Sequence, residues 1–316
     1  MAILVSKITL GIDVSKDELV IADWDTEQLT RLANQRSTIR SWLKALYGPV
    51  RLAIEPTSHY HLAFVEEAQA LGFEVYLINP RQLVHYREAV NVRNKTDPED
   101  ARLLARYLAH EASQLRLYQP QSRQAQRLWI LLKRRAVIVA SRKQLHLSLQ
   151  RLPISSQALF RQFDLLLKRI DQHLKRLVRE LGWWPDYQRC LSVPGIGPIN
   201  AAALLCVFHR GSFASSDAFV AFIGLDIRRR ESGQYKGKRK LTKRGPAELR
   251  RLLYCAAQPA RCYYPFDQYL QKQLDKGLSK IAAKVTLARK LARIVFALLN
   301  NQQSFRKQER LPIHSP

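Results

Sequence analysis

The chain has 316 residues, and 52 Lys and Arg against 26 Asp and Glu leave it a formal charge of +26. With 47% hydrophobic and 25% charged residues it is globular, with length for two or three domains, each with its own core. So large a basic excess selects a polyanionic partner, nucleic acid, over a membrane surface, and no apolar run reaches the ~18 residues of a membrane span. The N-terminus has no charged stretch followed by a cleavage site, so it does not read as a signal peptide. Cys190, Cys206, Cys255 and Cys262 lack Cys-x-x-Cys pairing. They read as reduced thiols of a cytoplasmic protein rather than zinc ligands.

Residues 1–120 read as an α/β domain. Apolar segments 6–14 and 18–24, joined by Ser15-Lys16-Asp17, predict a hairpin. Residues 50–55 predict a short buried strand. A helical pattern over 61–71, stopped by Gly72, and a strand over 73–78, closed by Asn79-Pro80, then predict a parallel crossover. Asp97-Pro98-Glu99-Asp100 opens a helix to about residue 110, with Asp97 as a possible cap. Residues 121–185 predict two long helices broken near 152–155, either a plain helical linker or a coiled-coil arm. Residues 186–304 are mostly helical, with a basic glycine-containing insert from about 228 to 245, and 305–316 form a polar tail.

Three features carry chemistry. Asp13 ends one apolar strand, Glu55 ends another, and Asp97 and Asp100 sit at a helix start. Four carboxylates from three segments can converge on one sheet edge and hold two Mg²⁺ ions, or Mn²⁺, for phosphoryl transfer. Asp97 and Asp100 would equally serve the helix dipole. Gly195-Ile196-Gly197 ahead of an apolar helix over 200–208 resembles the hairpin of a helix-hairpin-helix element, whose backbone N–H groups meet phosphate, and an ordinary turn uses the same glycines. The insert places Arg228, Arg229, Arg230, Lys236, Lys238, Arg239, Lys240, Lys243 and Arg244 around Ser232. Composition makes this a phosphate-binding loop and does not separate Ser232 from Ser212, Ser215 or Ser216.

Taken in order, these residues resemble the DEDD-type insertion-sequence transposases of the IS110 and IS1111 group, which includes the Piv-type DNA invertases. The resemblance rests on Gly11-Ile12-Asp13-Val14-Ser15-Lys16, Ile54-Glu55-Pro56-Thr57-Ser58-His59-Tyr60, Ile78-Asn79-Pro80, Arg93-Asn94-Lys95-Thr96-Asp97-Pro98-Glu99-Asp100-Ala101, Pro194-Gly195-Ile196-Gly197, and Phe222-Ile223-Gly224-Leu225 leading to Arg230-Glu231-Ser232-Gly233. It implies a RuvC-like domain of RNase H type at 1–120, a coiled-coil segment at 121–185 and a C-terminal transposase domain at 186–304. It also implies Asp13, Glu55, Asp97 and Asp100 as metal-holding acids and Ser232 as a nucleophile that links covalently to DNA. A guide-type non-coding RNA pairing with donor and target DNA, and a dimer or tetramer at the nucleoid, follow from the same resemblance. Pro56 and Ser58 depart from it, at positions where Ala and Gly are common. An invertase, or a RuvC-like nuclease using water in place of Ser232, are the alternatives.

Overall fold

The computed structural model describes residues 7–306 except 151, 153, 154, 229, 230, 233, 234 and 238. The chain divides into two compact units, Met1–Pro120 and Gln121–Pro316.

The first unit is built on a mixed five-stranded sheet. Strands β1 (Ile8–Val14), β2 (Glu18–Asp23) and β3 (Leu29–Ala33) run antiparallel in succession. After helix α1 (Arg36–Lys44), β4 (Val50–Ile54) pairs parallel to β1. Helix α2 (Leu62–Ala70) then carries the chain to β5 (Glu74–Leu77), parallel to β4. The strand order is β3-β2-β1-β4-β5. The 6–14/18–24 hairpin and the parallel crossover are both present. Ser15 closes the hairpin: its hydroxyl donates to the Glu18 carbonyl and accepts from the Glu18 N–H, at 2.8 and 3.0 Å.

Strand alternation sends Leu10, Ile12, Val14, Leu52 and Ile54 to one face, where Ile39 and Leu43 of α1 and Phe64 and Val65 of α2 complete a core. Helix α3 (Pro80–Ala89) follows β5, and α4 (Asp97–Glu111) lies across the opposite face, against β1, β2 and β4. Gly11 makes this approach possible. A Cβ at Gly11 would run into the Ala101 carbonyl oxygen and the Ala105 amide nitrogen, so α4's backbone rests directly on β1. We expect Gly11→Ala to force α4 off the sheet and cost about 3 kcal/mol. A thermal or urea unfolding series checks it.

In the second unit, α5 (Arg123–Ser148) and α6 (Gln157–Glu180) pair along their length, joined by Arg135–Asp171 and Arg142–Asp164 ion pairs at 2.5 and 2.9 Å. Leu128, Leu132, Leu174, Leu177 and Val178 anchor this pair in the core of the helices that follow. Those are α7 (Trp184–Leu191), α8 (Pro198–Phe208) and α9 (Ser216–Ile223). After four two-residue strands, β6 (Ile227–Arg228), β7 (Glu231–Ser232), β8 (Tyr235–Lys236) and β9 (Lys240–Leu241), come α10 (Ala247–Ala260), α11 (Phe266–Asp275) and α12 (Lys280–Asn300). Helix α8 is apolar on every side and central, with residues 201–207 all buried. Among the described residues no helix is long and apolar enough to cross a membrane.

Candidate active site

Asp13 and Glu55 come together because their strands do. β1 and β4 pair in parallel with Ile12 opposite Ile54, so the next residue of each, Asp13 and Glu55, lies at the same end of the sheet. Asp13 shares the parity of Gly11, and Glu55 that of Ala53, so both belong to the α4 face. Thr96 takes the N-cap of α4 and Asp97 is the first helical residue, a one-position correction to the expected cap. Asp97, Glu99 and Asp100 occupy the first turn, where the helix dipole offsets part of their mutual repulsion. Helix α4 enters at this sheet end, and its stripe Ala101, Leu104, Ala105 and Leu108 is buried. The contact at Gly11 therefore sets where Asp97 and Asp100 stand.

Asp13 and Glu55 sense the neighbouring carboxylates. Burial, then the charges of Asp100, Asp97 and Glu55, push the Asp13 carboxyl up from 3.8 to about 6. Glu55 is also raised, by burial and then by Asp100, with Lys95 and Arg87 opposing. Asp100 is buried and ion-paired to Arg87 of α3. As hard oxygen donors the acids suit Mg²⁺ or Mn²⁺. Their spacing is looser: among the described residues, no three His, Cys, Asp or Glu side chains stand close enough to hold one metal ion.

Two loops frame this edge. Asn34, just after β3, donates from Nδ2 to the carbonyls of Ser15 and Tyr60, at 2.8 and 3.2 Å, and so ties the turn after Asp13 to the loop after Glu55. Ser58 has φ +48°, in the left-handed region where glycine is at ease, which accounts for glycine's suitability at this position. Ser58→Gly should therefore preserve the loop and leave stability unchanged or up to about 1 kcal/mol higher, while Ser58→Val should lower it by about 1–2 kcal/mol. Urea midpoints of the two variants decide this.

Ser232 lies in the second unit, on β7, paired with Tyr235 of β8, and its side chain is exposed. This pairing is nested inside that of β6 with β9, so Ser232 belongs to the outer part of a β arm. The arm's base is fixed by a close backbone approach. Gly224, at φ +76°, ends α9 and has no room for a Cβ against Gly245 and Arg244. Arg250 of α10 donates to the carbonyls of both Ile223 and Gly245, which locks the two sides together. Arg228, Arg239, Lys240, Lys243 and Arg244 are exposed along the arm. Lys236 lies in β8, and Arg229, Arg230 and Lys238 lie outside the described residues.

The turn between α7 and α8 is followed by a helix that starts two residues earlier than expected. Helix α8 starts at Pro198, and Gly195, at φ +88°, faces α10, where a Cβ would meet the Ala256 carbonyl and the Ala260 methyl. Its lack of a side chain serves helix packing. Gly197, the N-cap of α8, has open space where its Cβ would be. Arg87, Lys95, Asn34 and Arg250 were not singled out in the sequence, where nothing separates two arginines and a lysine from the other 49 cations of the chain.

Residues 10–152 match a family model for DEDD-type IS110 transposases, and residues 187–271 match the model of the transposase IS116/IS110/IS902 family. Together they span more than half of the chain. The chain belongs to the IS110 transposase family. The pilin gene-inverting protein of Moraxella lacunata is 28% identical to this transposase over 96% of this chain and 99% of its own length. The transposase for insertion sequence element IS1111A of Coxiella burnetii is 25% identical over 94% and 91%. The transposase for IS1328 of Yersinia enterocolitica is 35% identical over a shorter stretch, 38% of this chain and 37% of its own. As a transposase, the IS110-family chain is an enzyme of DNA cleavage and rejoining.

Proposed function

We propose that this transposase moves its insertion sequence through a covalent serine–DNA intermediate, with the four acids and Ser232 as its catalytic groups. The observation that carries the reading is the meeting of Asp13, Glu55, Asp97 and Asp100 at one sheet end, where Asp13 responds to the charge of the other three. A RuvC-like, RNase H-type assignment is supported by the order β3-β2-β1-β4-β5 with β2 antiparallel and a helix carrying acids across the face. Mg²⁺, or Mn²⁺, would be held by these acids, and when bound supplies positive charge at the scissile phosphate.

The chain's own groups then have defined tasks. The Ser232 Oγ attacks phosphorus, a serine–phosphate ester forms, and the bond to a deoxyribose oxygen breaks, leaving that sugar as a hydroxyl. Attack by a second strand's hydroxyl reverses the step and returns the serine. Because each ester bond is exchanged for another, no nucleotide hydrolysis is needed. The exposed cations of the arm hold the backbone near Ser232. A guide-type RNA pairing with donor and target, and assembly as a dimer or tetramer, complete the proposal. The basic excess of the chain suits polyanionic partners.

A strand-exchange assay on a plasmid bearing the element's ends and a target tests this reading. New junctions in Mg²⁺ are expected. Nicks without junctions would identify a nuclease that uses water. A second outcome of the same chemistry, inversion of a segment between two sites, is favoured by the near full-length similarity to the pilin gene-inverting protein. Treating the purified complex with ribonuclease before the assay tests the guide. Loss of junctions is expected, and undiminished junctions would remove RNA from the account.

A further inference from the structure

A cavity of about 450 Å³ opens in the second unit between α5, α8 and the first turns of α10. Its size falls within the ~300–1,000 Å³ of small-molecule sites, and so does its make-up, apolar with a few charged groups. Leu132, Leu249 and Leu252 are buried beneath it. The partly buried Trp129 indole lines it, with the Lys133 ammonium 5.6 Å from the ring centroid. Lys133 and Arg210, both in the lining, are exposed, and neither has a carboxylate partner among the described residues. The acid of the lining, Glu248, is already taken: Arg251 donates to both of its oxygens, at 2.6 and 2.7 Å. An aromatic ring, an apolar floor and two positive charges without a counter-charge are complementary to a base with its phosphates. Pro246, also in the lining, directly follows Gly245, whose carbonyl Arg250 holds at the base of the β arm.

We propose that this cavity takes the base of one unpaired nucleotide of a DNA strand, stacked on Trp129, with Lys133 and Arg210 on its phosphates. A base inside a duplex is covered by its neighbours, so a recessed ring selects a nucleotide that has left the stack. The strand is DNA because the carboxylate that could accept from a 2′-hydroxyl is occupied by Arg251. The site stands on the DNA cleavage and rejoining of the family, and on neither Ser232 nor the four acids.

The test is binding of the full chain, freed of nucleic acid and in chelator, to a single-stranded oligodeoxynucleotide, its RNA counterpart and a blunt DNA duplex. Strands with 5-iodouracil in place of thymine add a photocrosslink. Trp129→Leu should weaken single-strand DNA binding on the order of tenfold and change duplex binding by less than about twofold. Trp129→Phe, which keeps an aromatic face, should recover most of the loss. Arg210→Gln should weaken single-strand binding by about threefold and lower its salt slope by about 0.7, the share of one phosphate contact. The crosslink should map to the peptide that contains Trp129. Equal losses on single strand and duplex in Trp129→Leu would mark a structural tryptophan and overturn the site, as would undiminished single-strand binding or no recovery in Trp129→Phe. RNA bound as tightly as DNA, with the same dependence on Trp129, overturns the assignment to DNA. No single-strand binding by wild type overturns the site outright. If Trp129→Leu does not fold, the exposed Arg210 and the crosslink decide: unchanged affinity and salt slope in Arg210→Gln, with crosslinks away from Trp129, overturn it.

Discussion

Asp13→Asn is expected to abolish strand cleavage and joining while making the protein harder to unfold. The two effects have one cause. Asp13 is partly out of water and feels the charge of three other carboxylates, so its charged form is disfavoured in the fold and its value rises from 3.8 to about 6. A folded-state value above the unfolded one means the folded chain holds the extra proton between those limits. Stability is therefore highest below about pH 4 for this group and falls as pH rises through about 6. The whole shift corresponds to about 3 kcal/mol. Because Asp13 is partly open to solvent, screening reduces this to roughly 1–2 kcal/mol. Asparagine fills the same space without the charge. In chelator, Asp13→Asn should melt above wild type at about pH 7.5, with the gap closing near pH 4. A matched loss of activity and gain in stability marks a site whose charges are kept for chemistry. Melting curves at the two pH values, alongside the strand-exchange assay, check both halves.

Ser232→Ala should remove joining altogether and leave DNA binding and folding as they are. Its hydroxyl is exposed, in the outer part of the arm, and it makes no packing contribution that alanine would forfeit. The arm is held at its base by Gly224, Gly245 and Arg250, and by the Thr242–Asp226 contact, none of which involves Ser232. The neighbouring exposed cations, proposed to hold phosphates, are also untouched. The expected loss is therefore confined to the bond-making step, at least about 10³-fold for loss of a nucleophile. Gel-shift affinity and its salt dependence, compared between the two proteins, verify that binding is retained.

The placement of the proposed acids was legible because it is written in local chemistry. An apolar run that ends in an acid places that acid at a strand end, as at Asp13 and Glu55. Asp97-Pro98-Glu99-Asp100 announces a helix start. What brings these acids together could not be read locally, because it depends on Gly11 meeting Ala101 and Ala105, residues distant in sequence. Asn79-Pro80 was read as a strand stop, yet Asn79 also caps α3 by accepting from the Arg81 N–H at 2.9 Å. The helix that carries Arg87 was missed with it. β3 escaped notice because Thr30 and Arg31 break its apolar pattern on an edge strand, and α1 because Gln35 gives it no side-chain cap. Among the serines, composition could not choose. The structure gives Ser215 a separate task as the cap of α9, its hydroxyl accepting from the Ala218 N–H at 3.1 Å. Ser216 is absorbed as the first residue of that helix.

The measurement that bears most directly on the account is recovery of a covalent protein–DNA adduct under denaturing conditions, after reaction in Mg²⁺ with the element's own flanking DNA and its RNA. Wild type should give an adduct whose DNA-bearing peptide contains Ser232, with none from Ser232→Ala or Asp13→Asn. Metal-dependent nicks of equal extent in wild type and Ser232→Ala, with no adduct in either, would contradict the serine mechanism and leave a nuclease that uses water.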